Sequence, residues 1–304
     1  MSTDLVLDTD FTPQSETCIE VSPLLRRIVA GNRGAFTFTG TCSYIVGRGQ
    51  VAILDPGPAD PTHIAALLAA VAGETVTEIA ISHTHMDHSP AAREIAAATG
   101  ARIVGCGPHR ASRDLAPGET RMSEGSNDTA YRPDWEMQEG DRIAGPGWSL
   151  EALATPGHTA NHLVFALPEE NALLSADHVM AWSTTFIGPP DGSMRDYMAS
   201  LEKLRGRPET IYWPGHGGPV REPLRFLRAL IHHRRQREAS ILGRLAAGDR
   251  TITDMVGAIY RGLQPALVPA AALSIFAHLE DLVGRGIVLT DGLPQRDGVY
   301  RLAG

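Results

Sequence analysis

Along the first two-thirds of the chain, short apolar runs alternate with breaks rich in Gly, Pro and Asp, a spacing that predicts strands more than long helices. Residues 16–21 and 25–30 carry strand patterning. Residues 36–38, 43–46 and 51–54 follow as three further β runs, separated at Gly40 and at the turn Gly47-Arg48-Gly49-Gln50. Together they predict a meander of hairpins. Asp60 then stands as an acidic N-cap before Pro61, so a helix is expected to about Ala72.

Strand patterning returns at 76–82, 101–104, 148–154, 161–167, 172–175 and 210–213, with helices expected at 90–99 (closed by Gly100) and 195–205. Residues 107–130 are Gly-, Pro-, Ser- and Asp-rich and only weakly periodic, which reads as a long surface excursion; 182–194 reads as a Gly/Pro loop. After Pro219 the pattern changes. A long Arg-rich helix is expected over 222–247. Thr251 with Asp254 resembles a capping box, followed by an apolar face of Ile252, Met255, Val256, Ile259 and Tyr260. A third helix opens at Pro269 and ends near Gly284, and 287–289 with 299–302 suggest a β-hairpin. Helix, helix, helix, hairpin is a winged-helix arrangement. Two domains are therefore expected, 1–220 and 221–304, in an α/β chain.

Composition narrows this picture modestly. The chain has 304 residues, 43% of them hydrophobic, enough for a full core and a second small domain. No apolar run approaches the ~20 residues of a membrane span, and the acidic N-terminus lacks a secretory pattern. Cys18, Cys42 and Cys106 are scattered and read as small buried thiols, which fits a reducing cytoplasm. The net charge is −8, divided into +4 over 221–304 (12 Arg against 8 acidic residues) and −12 over 1–220. A body so acidic is a poor electrostatic host for nucleic acid. Arg225, Arg228, Arg234, Arg235 and Arg237 read as a solvated helix face.

Chemistry concentrates at His83-Thr84-His85-Met86-Asp87-His88, three imidazoles and a carboxylate within six residues at the end of a strand. Imidazole and carboxylate are the donors that suit zinc and related divalent ions. Three later strand ends deliver more of the same: His158, Asp177 and His216. Four separated segments with ligand chemistry at strand C-terminal ends are hard to attribute to chance.

These motifs, with Asp55 in L-D-P-G, then H-T-H-M-D-H, T-P-G-H, A-D-H and P-G-H-G, resemble the metallo-β-lactamase-fold hydrolases over residues ~15–220; the C-terminal part resembles the winged-helix tail of the lactamase-β-like 2 branch. The resemblance implies an αββα sandwich followed by a small winged-helix-like domain. It further implies two metals per chain, zinc first, with iron or manganese as alternatives: one on His83, His85 and His158, the other on Asp87, His88 and His216, with Asp177 bridging. Asp87 and Asp177 are the expected catalytic carboxylates, a metal-bridging hydroxide the expected nucleophile, and Asp55 and His162 the expected supports behind the ligands.

His178 is expected to face away from the metals. His63, His109, His232, His233 and His278 read as surface or satisfied histidines. The activity expected is metal-dependent hydrolysis, on single-stranded RNA by analogy with one branch. A small-molecule thioester, lactone or β-lactam (a glyoxalase II-like reaction) is the alternative. A mononuclear iron oxygenase on the same fold and a non-catalytic winged-helix module are the rivals from other classes. No membrane partner is expected, and a homodimer is the default assembly.

Overall fold

The structure is a computed structural model, described here for residues 5–116, 119 and 126–304. In chain order the elements are β1 (Ile19–Glu20), β2 (Leu25–Val29), β3 (Cys42–Arg48), β4 (Gln50–Leu54), α1 (Pro61–Ala70), β5 (Thr75–Ile81), α2 (Ala92–Thr99), β6 (Arg102–Gly105), β7 (Trp135–Glu136), β8 (Arg142–Gly145), β9 (Trp148–Ala154), β10 (Leu163–Leu167), β11 (Ala172–Ala176), α3 (Met194–Arg205), β12 (Ile211–Pro214), α4 (Pro223–Ala246), α5 (Ile252–Ile259), α6 (Val268–Gly284), β13 (Val288–Thr290) and β14 (Tyr300–Leu302). Strands β1 to β7 form one sheet in sequence order; a second sheet runs β12-β11-β10-β9-β8.

The two sheets pack face to face because their strands alternate inward and outward side chains. In β10, Leu163, Phe165 and Leu167 enter the core between the sheets, whereas Val164 and Ala166 face the other way, against residues of α3 and α4. All five residues of β10 are buried, as expected of a strand covered on both faces. Helices α1 and α2 supply Ile64, Leu67 and Ile95 to the core of the first sheet. Layer order is thus α, β, β, α. Asp60 caps α1 by accepting from the Thr62 and His63 amides, and the Thr251–Asp254 capping box forms at α5. Helices α5 and α6 with the β13–β14 hairpin share a third core that also takes Ile241 and Leu245 from α4.

Several expectations need correction. Residues 36–38 are not a strand: they form a turn, with Phe38 at φ 54° and Phe36 59% exposed. Periodicity cannot separate a short apolar strand from an apolar loop that covers something. The excursion over 107–130 is not wholly superficial, since Asn127 and Asp128 are buried; residues 117–118 and 120–125 lie outside those described. Strands β7 and β8 escaped the pattern because they are short. Cys18 is exposed, while Cys42 and Cys106 are buried as expected. Arg234 departs from the solvated face. It is buried, donates to the Thr185 carbonyl and lies over the Tyr197 ring. His63 is buried and satisfied, His109 has its ring buried, and His278 is buried with no hydrogen-bond partner on either nitrogen. Residues 265–284 do reach membrane-span length, with a mean hydropathy of 1.5. The reason is that α6 is covered on two sides: Ile275, Leu279 and Leu282 enter the third core, and Ala277 enters the core beneath α3.

Candidate metal centre

The candidate donors meet at one edge of the sandwich, where β5, β9, β11 and β12 all end. Backbone bonds stitch the two sheets together there: the Cys42 amide donates to Gly215 O at 2.7 Å and the Leu163 amide to Ser82 O at 2.8 Å. Gly215 is required by contact. A Cβ there would lie 2.8 Å from His88 Cε1 and closer still to Asp177 Oδ1. Asp55 leaves β4 in a left-handed conformation, φ 48°, which aspartate tolerates better than most residues.

Among the described residues three sets of possible donors stand together. His83, His85, His158 and Asp177 form the first and Asp87, His88 and His216 the second, while Asp55 with His83 and His88 forms a third that meets those rings on their far side. In the first, His85 Nδ1 is 3.0 Å from both His83 Nε2 and His158 Nε2, and Asp177 Oδ2 is 3.6 Å from His158 Nε2. In the second, Asp87 Oδ2 is 3.4 Å from His88 Nε2 and 3.2 Å from His216 Nε2. Asp177 reaches into both, with Oδ1 3.4 Å from His88 Nε2 and Oδ2 3.4 Å from His216 Nε2. Tetrahedral ligands about 2.0–2.1 Å from a zinc ion stand roughly 3.3–3.4 Å apart. The observed spacings bracket that value, and the donor types match, so these residues fit a pair of divalent cations.

On His83, His88, His158 and His216 the ring nitrogen turned away from the donor groups is held as well. His83 Nδ1 is 2.9 Å from Ser82 Oγ, which itself donates to Asp55 Oδ2 at 2.6 Å. His88 Nδ1 is 3.0 Å from the same Asp55 oxygen. His158 Nδ1 faces Phe186 O at 2.7 Å and His216 Nδ1 faces Gly40 O at 3.3 Å. Such contacts fix ring orientation and leave the opposite nitrogen open. Thr41 Oγ1 adds a bond to Asp87 Oδ2 at 3.1 Å. His162 lies behind His83, ring centroids 4.9 Å apart, with its Nδ1 2.9 Å from Thr155 Oγ1. His178 faces away from both groups, buried between His162 and Tyr197. Carbonyls are expected in this role, but which ones serve, Phe186 and Gly40, and the hydroxyls of Ser82 and Thr41 leave no motif in the sequence.

Electrostatics divides the two groups. Burial, reinforced by neighbouring imidazoles, pushes His83 well below the usual histidine range and His85 down to about 3. Burial also lowers His158, despite Asp177. The downward shifts favour the neutral form, the one a metal would need. In the second group, burial alone would lower His88 and His216. For His88 that effect is outweighed first by Asp87 and then by Asp177, and the ring rises well above its usual range; for His216 it is outweighed first by Asp177, and the ring rises to about 10. Burial would raise both carboxylates, yet the imidazoles hold Asp87 and Asp177 well below theirs. Carboxylates that draw these two imidazoles toward the charged form mark a place that suits a cation, whose binding would require both rings neutral.

Beside the donors opens a cavity of about 390 Å³. His85, Asp87, His158, Asp177 and His216 line one side. Phe36, Met180, Phe186, Pro189 and, from α6, Leu273 give the remaining wall most of its apolar surface, with Thr37, Ser126 and Asp191 as polar neighbours and Phe36 edge-on to Phe186 at 5.7 Å. Among the described residues no Lys or Arg lines it.

Residues 36–216 match the Metallo-beta-lactamase superfamily and residues 251–296 match the Beta-lactamase associated winged helix domain. The chain is 30% identical to a Beta-lactamase-like protein 2 homolog of Caenorhabditis elegans, over 88% of this chain and 87% of that protein. It is 28% identical to an Atrochrysone carboxyl ACP thioesterase of Aspergillus fumigatus, over 78% of this chain and 71% of that protein. A beta-lactamase domain protein from Burkholderia ambifaria shares the fold, with a TM-score of 0.78 and 18% identity over 97% of this chain and 96% of that one. The matched span of 36–216, holding every candidate donor and followed by the winged helix, makes this chain a member of the metallo-beta-lactamase superfamily.

Proposed function

We propose that the protein is a binuclear metallohydrolase, zinc-dependent in the first instance, that cleaves a small ester or thioester. The observation that carries the binuclear reading is Asp177, whose two oxygens stand within 3.4–3.6 Å of donors from both groups. His83, His85 and His158 would hold one cation and Asp87, His88 and His216 the other, with Asp177 shared. Bound there, the two cations would supply a water acidified toward neutral pH and Lewis-acid contact to the bond that breaks. Asp87 has a side chain 25% exposed, the most open carboxylate of the set. We assign it the proton that passes to the leaving group, while Thr41 and His216 hold its Oδ2 in place. Asp55 and His162 support the ligand rings from behind.

The ester reading over single-stranded RNA rests on the cavity. A polyanion is tracked by Lys and Arg along its backbone, and the described lining offers apolar side chains and carboxylates instead. A relative named as a thioesterase supports the same choice. The full second donor group speaks for two metals rather than the single iron of an oxygenase. Elemental analysis with a hydrolysis panel tests the reading: two divalent ions per chain and chelator-sensitive thioester cleavage are expected. One iron per chain with dioxygen uptake, or cleavage of single-stranded RNA alone, would overturn it.

A further inference from the structure

Helix α6 belongs by sequence to the C-terminal winged helix, yet it presents two opposed faces. Ala271, Ile275, Leu279 and Leu282, at spacings of three and four, pack into the third core. Leu273, Ala277, Glu280 and Gly284, also at spacings of three and four, form a stripe on the opposite side of the helix, roughly 175° away. Every member of that second stripe meets the metal-binding domain. Ala277 enters the core under α3. Glu280 accepts from Arg113 Nε at 2.8 Å. The Arg195 guanidinium lies over Gly284, in the space a Cβ would take. Leu273, 6% exposed, joins none of the three cores and lines the cavity beside the metal donors.

The docking is anchored close to the cavity wall. Ser112 donates through its amide and its hydroxyl to Pro190 O, both at 2.8 Å, and Pro190 lines the cavity. The next residue, Arg113, holds Glu280 and Glu119. Asp281 binds Arg195 Nε at 3.1 Å. One network therefore fixes the 186–191 wall and α6 relative to each other, and Leu273 with them.

We infer that the winged-helix domain is part of the substrate pocket. Leu273 is a specificity-determining residue that limits the size of an uncharged, apolar acyl group held between Phe36, Phe186 and Met180. The inference rests on the hydrolase reading for its ester chemistry, but the binding it describes does not. A cavity of about 390 Å³ suits a medium-length acyl chain or a small aromatic acid. Shortening Leu273 to Val or Ala opens that wall; lengthening it to Phe or Trp closes it.

Two readouts test this on the full chain. The first is kcat/KM across thioesters of increasing acyl length, with the metal-loaded protein. The second is calorimetric binding of alkyl methyl ketones of increasing length to the metal-free protein. Leu273→Ala should shift both preferences toward longer chains by roughly tenfold relative to wild type, and Leu273→Phe toward shorter ones, in line with the discrimination one or two methylenes provide. If Leu273→Ala loses cooperative melting, Leu273→Val replaces it, with a smaller shift in the same direction. Unchanged length profiles in the folded variants, with hydrolysis intact, would overturn the inference and leave the hydrolase reading standing. Ketone binding that tracks side-chain size, with no thioester cleaved, would sustain the inference and sink the ester reading.

Discussion

Replacing Asp55 by Asn isolates how the ligand rings are held. The carboxylate is buried and accepts three hydrogen bonds: from the Ser82 amide at 2.8 Å, Ser82 Oγ at 2.6 Å and His88 Nδ1 at 3.0 Å. Asn keeps the volume and tolerates the left-handed backbone at φ 48°. It has only one acceptor atom, so whichever way the amide turns, its NH2 faces an N–H or O–H donor. Loss of a charge-assisted bond costs about 1.5–3 kcal/mol, and a buried donor left unsatisfied a further ~1–3 kcal/mol. Both His83, through Ser82, and His88, directly, lose their orientation. Metal affinity should therefore fall by roughly 10–100-fold, or about 1.4–2.8 kcal/mol. The assay is titration of metal-free protein with Zn²⁺ against a chromophoric chelator, with thermal melting of the metal-free form alongside. Ser82→Ala, which touches only the His83 arm, should lose less. Wild-type affinity in Asp55→Asn, with melting unchanged, would refute the claim that Asp55 orients these rings.

Two further outcomes follow from the same geometry. Gly215→Ala should retain its circular dichroism spectrum but lose most bound metal by elemental analysis, because the new methyl intrudes on Asp177 and His88 together. His278 is held neutral by burial and then by Arg234, its pKa lowered to about 3. Its folded pKa lies below the unfolded value of about 6.5, so below that pH the unfolded chain binds the extra proton and stability falls as pH drops toward 3. Urea denaturation of the metal-free protein should show His278→Leu losing up to about 1.4 kcal/mol per pH unit of that slope; an unaltered slope would show that another group sets it.

The strand-end donors were legible because polar, metal-binding side chains are conspicuous where apolar runs stop. His83, His85, Asp87 and His88 announce themselves within six residues, and His158, Asp177 and His216 repeat the placement. The sandwich strands were legible because short apolar runs, most of them buried on both faces, are bounded by Gly, Pro and Asp. What was not legible is what burial by a distant segment decides. Phe36 reads as strand and serves as cavity wall, and nothing in the α6 pattern marks Leu273 as lining the same cavity. Arg234 sits in an Arg-rich helical run whose other members suggest solvent, and only the packing of α4 on α3 reveals that it is enclosed. Ser82 and Thr41 are ordinary residues whose importance is purely positional.

Helix α4 has a consequence for anyone dividing this chain. Its first half gives Leu227, Leu230 and Ile231 to the core beneath the second sheet, and its last turns give Ile241 and Leu245 to the winged-helix core. Between them, Arg234 grips the carbonyl of Thr185, whose hydroxyl in turn donates to Asp177 O at 2.8 Å. A rod embedded at both ends makes the two hydrophobic cores mechanically continuous. Cutting the chain near 220 would strip α4 from the outer face of the second sheet, leaving α3 there alone, and remove the strut behind Asp177. The protein should accordingly melt as one cooperative unit, and fragments ending there should be poor stand-ins for the whole.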